Sequence, residues 1–139
     1  MKVLVIQGAG MDQRGRSQIE IFGPETLEEI NAQILLHGKA LGLEIEIYQS
    51  NDEDAMVGKL QRLEQSEIDA LIINPGGFTT TEGLLPEAIR ELEVPAFEVH
   101  ASNPAARGVR STLLPVCKGA VCGFGYAGYA MALQAISEA

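Results

Sequence analysis

Polar side chains that can transfer protons or bind anions follow two apolar runs of the sequence, each typical of a buried strand. His100 and Ser102 come after the run Ala96 to Val99, and Asn74 comes after the run Ala70 to Ile73. An imidazole gains or loses a proton near neutral pH, and hydroxyl and amide groups form hydrogen bonds with small polar molecules. The sequence therefore predicts a catalytic or ligand-binding site after these two strands.

Two longer polar segments also follow predicted strands. Residues 8–23 are rich in Gly, Arg, Gln and Asp, and residues 101–115 contain Arg107, Arg110 and the pair Ser111-Thr112. In an open parallel sheet, ligands bind outside the carboxyl ends of the strands, where such loops lie. We therefore expect these segments and residues 74–81 to meet at one edge of the sheet.

Short apolar runs alternate with longer amphipathic segments, a pattern typical of βα units around a buried parallel sheet. The predicted strands are Val3 to Gln7, Ile45 to Tyr48, Ala70 to Ile73, Ala96 to Val99 and Ala120 to Gly123. The predicted helices are Thr26 to Leu41, Glu53 to Gln65, Thr81 to Leu92, and Tyr126 to the C-terminus. Thr26, with Glu29 three residues later, indicates a helix start stabilised by a capping box.

The bulk composition favours one domain over residues 1–139, with 46% hydrophobic residues to build its core. A formal net charge of -9 argues against nucleic acid as a partner. The apolar runs are too short for a signal peptide or a membrane span, so we expect a cytoplasmic protein without a membrane partner. Cys117 and Cys122 lack the spacing of a metal site, and Gln13 stands where a dinucleotide fingerprint needs its third glycine.

Seven short motifs stand in the order, and near the spacing, of one enzyme family. They are Gly8 after the leading strand, Phe22-Gly23, Gln49-Ser50-Asn51, Ile73-Asn74-Pro75-Gly76, Glu98-Val99-His100, Ser102-Asn103, and Cys122-Gly123-Phe124-Gly125 with Gly128-Tyr129. With these motifs the chain resembles the type II 3-dehydroquinate dehydratases over nearly its whole length. The resemblance implies a flavodoxin-like α/β fold, a three-layer sandwich whose five parallel strands are ordered 2-1-3-4-5. It also implies a homo-oligomer, in which trimers assemble into a dodecamer.

The reaction implied by the resemblance is the elimination of water from 3-dehydroquinate through an enolate, without metal or organic cofactor. This is a step of the shikimate pathway and of aromatic amino acid biosynthesis. His100 matches the family's general acid, and Asn74 matches the Asn that contacts the substrate ring. Ser102 and the main-chain amide of Ala101 match the cradle for the substrate carboxylate. Arg110 matches a substrate-binding Arg, with a surface salt bridge as an equal alternative.

Four other positions depart from the family pattern. Phe22 stands where the family has its catalytic Tyr, and Ser17 stands where it has the Arg that lowers the pKa of that Tyr. Because a phenyl ring has no proton to lose, the general base is missing, a loss that typically costs about 10²–10⁴-fold in rate. Thr80 replaces a substrate-binding His, and Glu87 stands where an Asp reaches the site of a neighbouring subunit.

Other residues of the first loop offer partial replacements. Arg14 and Arg16 can supply the missing positive charge but cannot accept a proton. Asp12 has two interpretations: a base whose pKa is raised in a shielded pocket, or a solvated loop carboxylate, which the sequence favours because nothing fixes its position.

Two functions from different classes follow from this pattern. The first is a dehydroquinate dehydratase-like hydro-lyase with altered or reduced activity, acting on a small carboxylate. The alternative is a catalytically silent relative that binds a small carboxylate metabolite or serves as an oligomeric scaffold.

Overall fold

A computed structural model describes residues 1–64 and 67–139 of the chain. Its centre is a five-stranded sheet in which every neighbouring pair is parallel, in the order β2-β1-β3-β4-β5. The strands are β1 (Lys2–Ala9), β2 (Glu44–Gln49), β3 (Ala70–Gly76), β4 (Ala96–His100) and β5 (Gly119–Cys122). The predicted strands, their parallel pairing and their order are thereby confirmed.

Five α-helices connect or flank these strands. They are α1 (Ile19–Phe22), α2 (Leu27–Ala40), α3 (Glu53–Gln61), α4 (Leu85–Arg90) and α5 (Ala127–Ser137). Helix α2 begins as predicted, because the Thr26 hydroxyl accepts a hydrogen bond from the Glu29 amide and the Glu29 carboxylate accepts one from the Thr26 amide. None of the helices in the described residues has the length and apolar character needed to cross a membrane.

Two helices, α3 and α4, are shorter than predicted, and one short helix was not predicted. Helix α3 ends at Gln61, whereas the predicted end, Gln65, lies outside the described residues. Helix α4 begins at Leu85 rather than Thr81, because the Glu53 carboxylate accepts hydrogen bonds from the Thr81 hydroxyl and the Leu85 amide and holds the intervening residues in an irregular conformation. The single-turn helix α1 lies within the polar loop after β1 and has no apolar periodicity that could predict it.

The helices form two layers, one on each face of the sheet. Helices α2 and α5 cover one face, where they pack against Val3, Val5 and Ile72. Helices α3 and α4 cover the other face, where they pack against Leu4, Ile6 and Leu71. Because both faces of β1 and β3 are buried, these strands are continuous apolar runs rather than alternating ones. The predicted three-layer sandwich is confirmed.

The loops after β1, β3 and β4 meet at the carboxyl edge of the sheet. Gly8 permits the closest approach, since a Cβ at that position would lie 1.8 Å from the carbonyl oxygen of Pro75. The Gly77 amide donates to the Ala9 carbonyl at 2.7 Å, which joins the first two loops. The Thr112 amide donates to the carbonyl of Thr79 at 2.9 Å and adds the third loop. The predicted convergence of three loops is therefore present.

Candidate functional site

A cavity of about 610 Å³ opens between these three loops at the carboxyl edge of the sheet. Seven of the predicted site residues line it. Asn74 and Thr80 come from the end of β3 and the loop that follows it, and His100, Ala101 and Ser102 come from the end of β4 and its loop. Ser17 and Phe22 come from the loop after β1. The fold thus brings together residues that are up to 85 positions apart in sequence, from Ser17 to Ser102.

His100 lines one wall of the cavity and is held from behind by a buried carboxylate, Glu98. Glu98 and His100 are two residues apart on β4, so their side chains lie on the same face of the strand. His100 Nε2 is in hydrogen-bonding contact with Glu98 Oε2, and Ser111 Oγ donates to Glu98 Oε1 at 3.0 Å. Glu98 is 1% exposed and His100 is 7% exposed. The carboxylate therefore fixes the imidazole ring and leaves its second nitrogen free for proton transfer to or from a ligand.

The first loop forms the opposite wall, where an arginine lies on an aromatic ring. The guanidinium carbon of Arg14 is 3.8 Å from the centroid of the Phe22 ring, a cation–π contact. Arg14 is 7% exposed, its Nη1 is 3.5 Å from the Gly10 carbonyl oxygen, and its Nε has no hydrogen-bond partner. The sequence indicated Arg14 as a replacement charge, but its burial and its stacking on Phe22 had no sequence signal.

A second arginine lies at the mouth of the cavity. Arg107 is exposed, donates from Nη1 to Ser102 Oγ at 2.6 Å, and has its guanidinium carbon 5.8 Å from the Phe22 centroid. Within the described part of the chain, the residues that line the cavity include these two arginines and no Asp or Glu. The side chains that line the cavity therefore carry a positive formal charge although the chain carries a net charge of -9. Such a cavity is suited to an anionic ligand.

Comparison with known proteins agrees with this geometry. Residues 1–137 match the family model described as dehydroquinase class II. The 3-dehydroquinate dehydratase of Caldicellulosiruptor bescii is 36% identical over 140 residues, covering 99% of this chain and 97% of that protein. The one of Dinoroseobacter shibae is 40% identical over 139 residues, covering 98% and 92%. The crystal structure of a type II dehydroquinase from Butyrivibrio crossotus has a TM-score of 0.93 at 32% identity, covering 100% of this chain and 98% of that one.

The chain belongs to the class II dehydroquinase family. The family resemblance read from seven sequence motifs is confirmed, and with it the membership of a hydro-lyase family. A further solved structure, described as a 3-dehydroquinate dehydratase-like protein from Bifidobacterium longum, has a TM-score of 0.75 at 29% identity, covering 99% of this chain and 96% of that one.

Three residues that the dehydroquinase resemblance singled out lie away from the cavity. Asp12 is exposed, accepts a hydrogen bond from Asn51 Nδ2 at 3.2 Å, and is not part of the cavity lining. Arg110 is exposed and also outside the lining, whereas Arg107 of the same loop contributes to it. Glu87 is on α4, outside this cavity, and pairs with Arg90 Nη1 at 2.5 Å. Its contact with a neighbouring subunit stays a prediction.

Two residues of the site were not given a role from the sequence. Glu98 belongs to a recognised dehydroquinase motif, and its spacing of two from His100 is the signal that places both side chains on one strand face. Arg107 was noted only as part of a polar loop, and its position depends on the 3₁₀ turn Pro104–Arg107, which the sequence did not predict.

The two cysteines lie outside the lining of this cavity and remain thiols. Both are free and half-buried. Burial, assisted by the charge of Glu98, raises the pKa of Cys117 to about 12, and the same two causes raise the pKa of Cys122. Neither cysteine is therefore a thiolate nucleophile near neutral pH. Among residues 1–64 and 67–139, no three His, Cys, Asp or Glu side chains come together as metal ligands.

Proposed function

We propose that this chain is a hydro-lyase that eliminates water from a small hydroxy-carboxylate resembling 3-dehydroquinate. Its rate is lower than that of a dehydroquinase that has the family's Tyr and Arg. The observation that carries the proposal is the buried Glu98–His100 pair, whose imidazole lines a cavity that has two arginines and, among the described residues, no carboxylate in its lining. An acid that delivers a proton to a leaving hydroxyl, beside groups that bind an anion, is half of the machinery for this elimination.

His100 donates the proton to the leaving hydroxyl in this proposal. Glu98 keeps the imidazole in one orientation, and Ser111 supports Glu98 through its own hydrogen bond. Asn74, which is 3% exposed, contacts the ring hydroxyls of the substrate. Ser102, the Ala101 amide and Arg107 bind the substrate carboxylate, and Arg107 takes the role that the resemblance implied for Arg110.

Removal of the carbon-bound proton is the slow step of the proposed reaction. Phe22 cannot accept a proton, and Asp12 lies outside the cavity lining. Among the described residues that line the cavity, His100, already assigned as the acid, is the one His, Asp or Glu. Proton removal therefore passes to water in the cavity, and we expect a rate about 10²–10⁴-fold below one with a positioned base.

The alternative function follows from the same missing base. A silent family member would retain the anion-binding groups, bind a small carboxylate and release it unchanged. The trimer-based homo-oligomer stays a prediction in both cases, as does the contribution of Glu87 to a neighbouring site.

A turnover assay tests the proposal. The protein is incubated with 3-dehydroquinate and with related hydroxy-acids, and formation of the conjugated enone product is followed by its near-ultraviolet absorbance. A His100→Ala variant, purified in the same way, reveals any dehydroquinase carried over from the expression host, because such a contaminant is unaffected by the substitution. Turnover that disappears in the variant supports the lyase. Carboxylate binding without turnover of any compound would establish the silent alternative.

A further inference from the structure

Arg14 is a buried cation without an anionic partner. Within residues 1–64 and 67–139, the ion pairs involve Lys2, Lys59, Arg90 and His100, and Arg14 is in none of them. Its hydrogen bond to the Gly10 carbonyl is at the long limit of 3.5 Å, and its Nε has no partner within the described residues. Burying a charge is unfavourable unless it is paired, so an anion bound at Arg14 relieves an unfavourable term of the free protein.

The aromatic neighbour of Arg14 keeps this charge free for a ligand. Phe22 holds the guanidinium against the cavity wall at 3.8 Å but accepts no conventional hydrogen bond from it. A tyrosine at position 22, once ionised, would itself neutralise a nearby guanidinium. Phenylalanine therefore removes a base and leaves an uncompensated cation on the same wall.

One carboxylate is not sufficient to neutralise the cavity. A carboxylate bound by Ser102 and Arg107 lies at the exposed mouth, where Arg107 Nη1 already donates to Ser102 Oγ at 2.6 Å. Both guanidinium groups are near the Phe22 ring, at 3.8 and 5.8 Å from its centroid, so one small molecule can reach both. With a single carboxylate at the mouth, the buried Arg14 would still have no counter-charge.

We propose that the natural ligand of this cavity is a dicarboxylate, with one carboxylate at Ser102 and Arg107 and the second at Arg14. Arg14 is then a specificity-determining residue that selects dianions over monoanions. The inference rests on the proposed site and deepens it, because elimination of water from a hydroxy-monocarboxylate requires only the first of these positions.

Isothermal titration calorimetry with matched probes tests this selection. The probes are cyclohexanecarboxylate and the 1,3- and 1,4-dicarboxylates of cyclohexane, which differ in the second carboxylate and in its spacing. We expect one of the dicarboxylates to bind about ten-fold tighter or more than the monocarboxylate, the effect of one added charge-assisted hydrogen bond. Equal affinity of all three probes for the wild-type protein would overturn the proposal.

Two variants assign the preference to Arg14. Arg14→Met keeps much of the aliphatic packing and should lose the preference for the dicarboxylate over the monocarboxylate. Arg16→Met removes an exposed arginine from the same loop and should keep it. A preference that survives in Arg14→Met would place the second carboxylate elsewhere and contradict the proposal. Should Arg14→Met fail to fold by circular dichroism, Arg14→Lys retains the charge and must retain a dicarboxylate preference, or the proposal is wrong.

The outcomes also separate this inference from the proposed function. Turnover of 3-dehydroquinate without any preference for dicarboxylates would overturn the inference and leave the function intact. A dicarboxylate preference that depends on Arg14, in a protein without turnover, would support the inference and contradict the function.

Discussion

The two walls of the cavity differ in how completely their polar groups are paired. The wall at the end of β4, here called the acid wall, consists of His100 and Ser102 with Glu98 buried behind His100, and each of these side chains has a hydrogen-bonding partner in the protein. The wall from the first loop consists of Arg14, Ser17 and Phe22, and there the buried Arg14 Nε has none. Buried polar groups that have all their hydrogen-bond partners keep a fixed geometry. A buried polar group without a partner is stabilised when a ligand supplies one.

Polar groups without hydrogen-bond partners also lie behind the first-loop wall. The hydroxyl groups of Tyr126 and Tyr129 and the Gln7 Oε1 atom are buried without partners among the described residues. Burial raises the pKa of Tyr126, while the nearby charge of Arg14 acts in the opposite direction. The acid wall thus presents paired polar groups, whereas the first-loop wall presents a buried cation beside a phenyl ring.

The largest expected effect is a difference in kcat between two single variants, one with a substitution in each wall. His100→Ala should lower kcat on any substrate that the protein dehydrates by about 10²–10⁴-fold, because the general acid is lost. Phe22→Leu should change it by roughly ten-fold or less, because no proton passes through a phenyl ring. Steady-state kinetics of both variants checks this asymmetry. Equal losses would show that Phe22 contributes to the chemistry as much as His100 does.

The next effect is a gain of function on the first-loop wall. Phe22→Tyr combined with Ser17→Arg restores a base and a charge that lowers its pKa, and should raise 3-dehydroquinate dehydration by about 10²-fold. Phe22→Tyr alone serves as the control and should gain less, because an unassisted tyrosine has a pKa near 10. An unchanged rate in the double variant would mean that the cavity has diverged beyond the loss of its base.

A smaller loss is expected from the residue that orients the acid. Glu98→Gln keeps the size of the side chain but removes the carboxylate that holds the imidazole. We expect a drop in kcat of about 10–100-fold, the range for residues that orient a reacting group, with KM nearly unchanged. The pH dependence of kcat should also change, which a purely structural role of Glu98 would not produce. An unaltered pH profile would contradict the positioning role.

The sequence predicted most of the fold because its physical causes are local or periodic. Continuous apolar runs specify strands that are buried on both faces, and Thr26 with Glu29 specifies the start of α2. The beginning of α4 was missed because it depends on Glu53, whose carboxylate binds residues 28 and 32 positions away in sequence. Contacts of that range leave no periodic signal.

The acid wall could be predicted and the first-loop wall only in part. His100 and Ser102 follow a strand directly, so the position of the strand fixes where their side chains lie. Arg14 and Phe22 are on an irregular loop with glycines at positive φ, including Gly10 at 84° and Gly15 at 81°. Which side chain of such a loop turns inward depends on packing, so the burial of Arg14 became apparent only in three dimensions, whereas a solvated Asp12 was the interpretation that the sequence favoured.

The smallest expected effects are changes in the free energy of unfolding when the hydroxyl group of Ser111 or of Tyr129 is removed. Ser111→Ala on the acid-wall side leaves an oxygen of the buried Glu98 without its donor, and should lower the free energy of unfolding by about 1–3 kcal/mol. Tyr129→Phe behind the first-loop wall removes a hydroxyl that has Asn74 and Gln7 beside it but no hydrogen bond of good geometry within the described residues, and should change that free energy by roughly 0.5 kcal/mol or less at neutral pH. Urea unfolding of both variants at pH 7 measures the difference. A larger cost for Tyr129→Phe would show that its hydroxyl is paired after all.

The stability of the wild type and of Tyr129→Phe at alkaline pH provides a second test of the environment of this hydroxyl. Burial, opposed by the neighbouring Asn74 and Gln7, raises the pKa of Tyr129 from 10.0 to about 12. Between these values the unfolded chain has released the phenolic proton while the folded chain still holds it, so the unfolded state binds fewer protons and stability falls as pH rises. Cys117, whose pKa is also raised to about 12, contributes to the same fall in both proteins. Tyr129→Phe should therefore lose less stability than the wild type from pH 10 to 12, and identical losses would mean that the Tyr129 hydroxyl ionises as readily in the folded protein as in water.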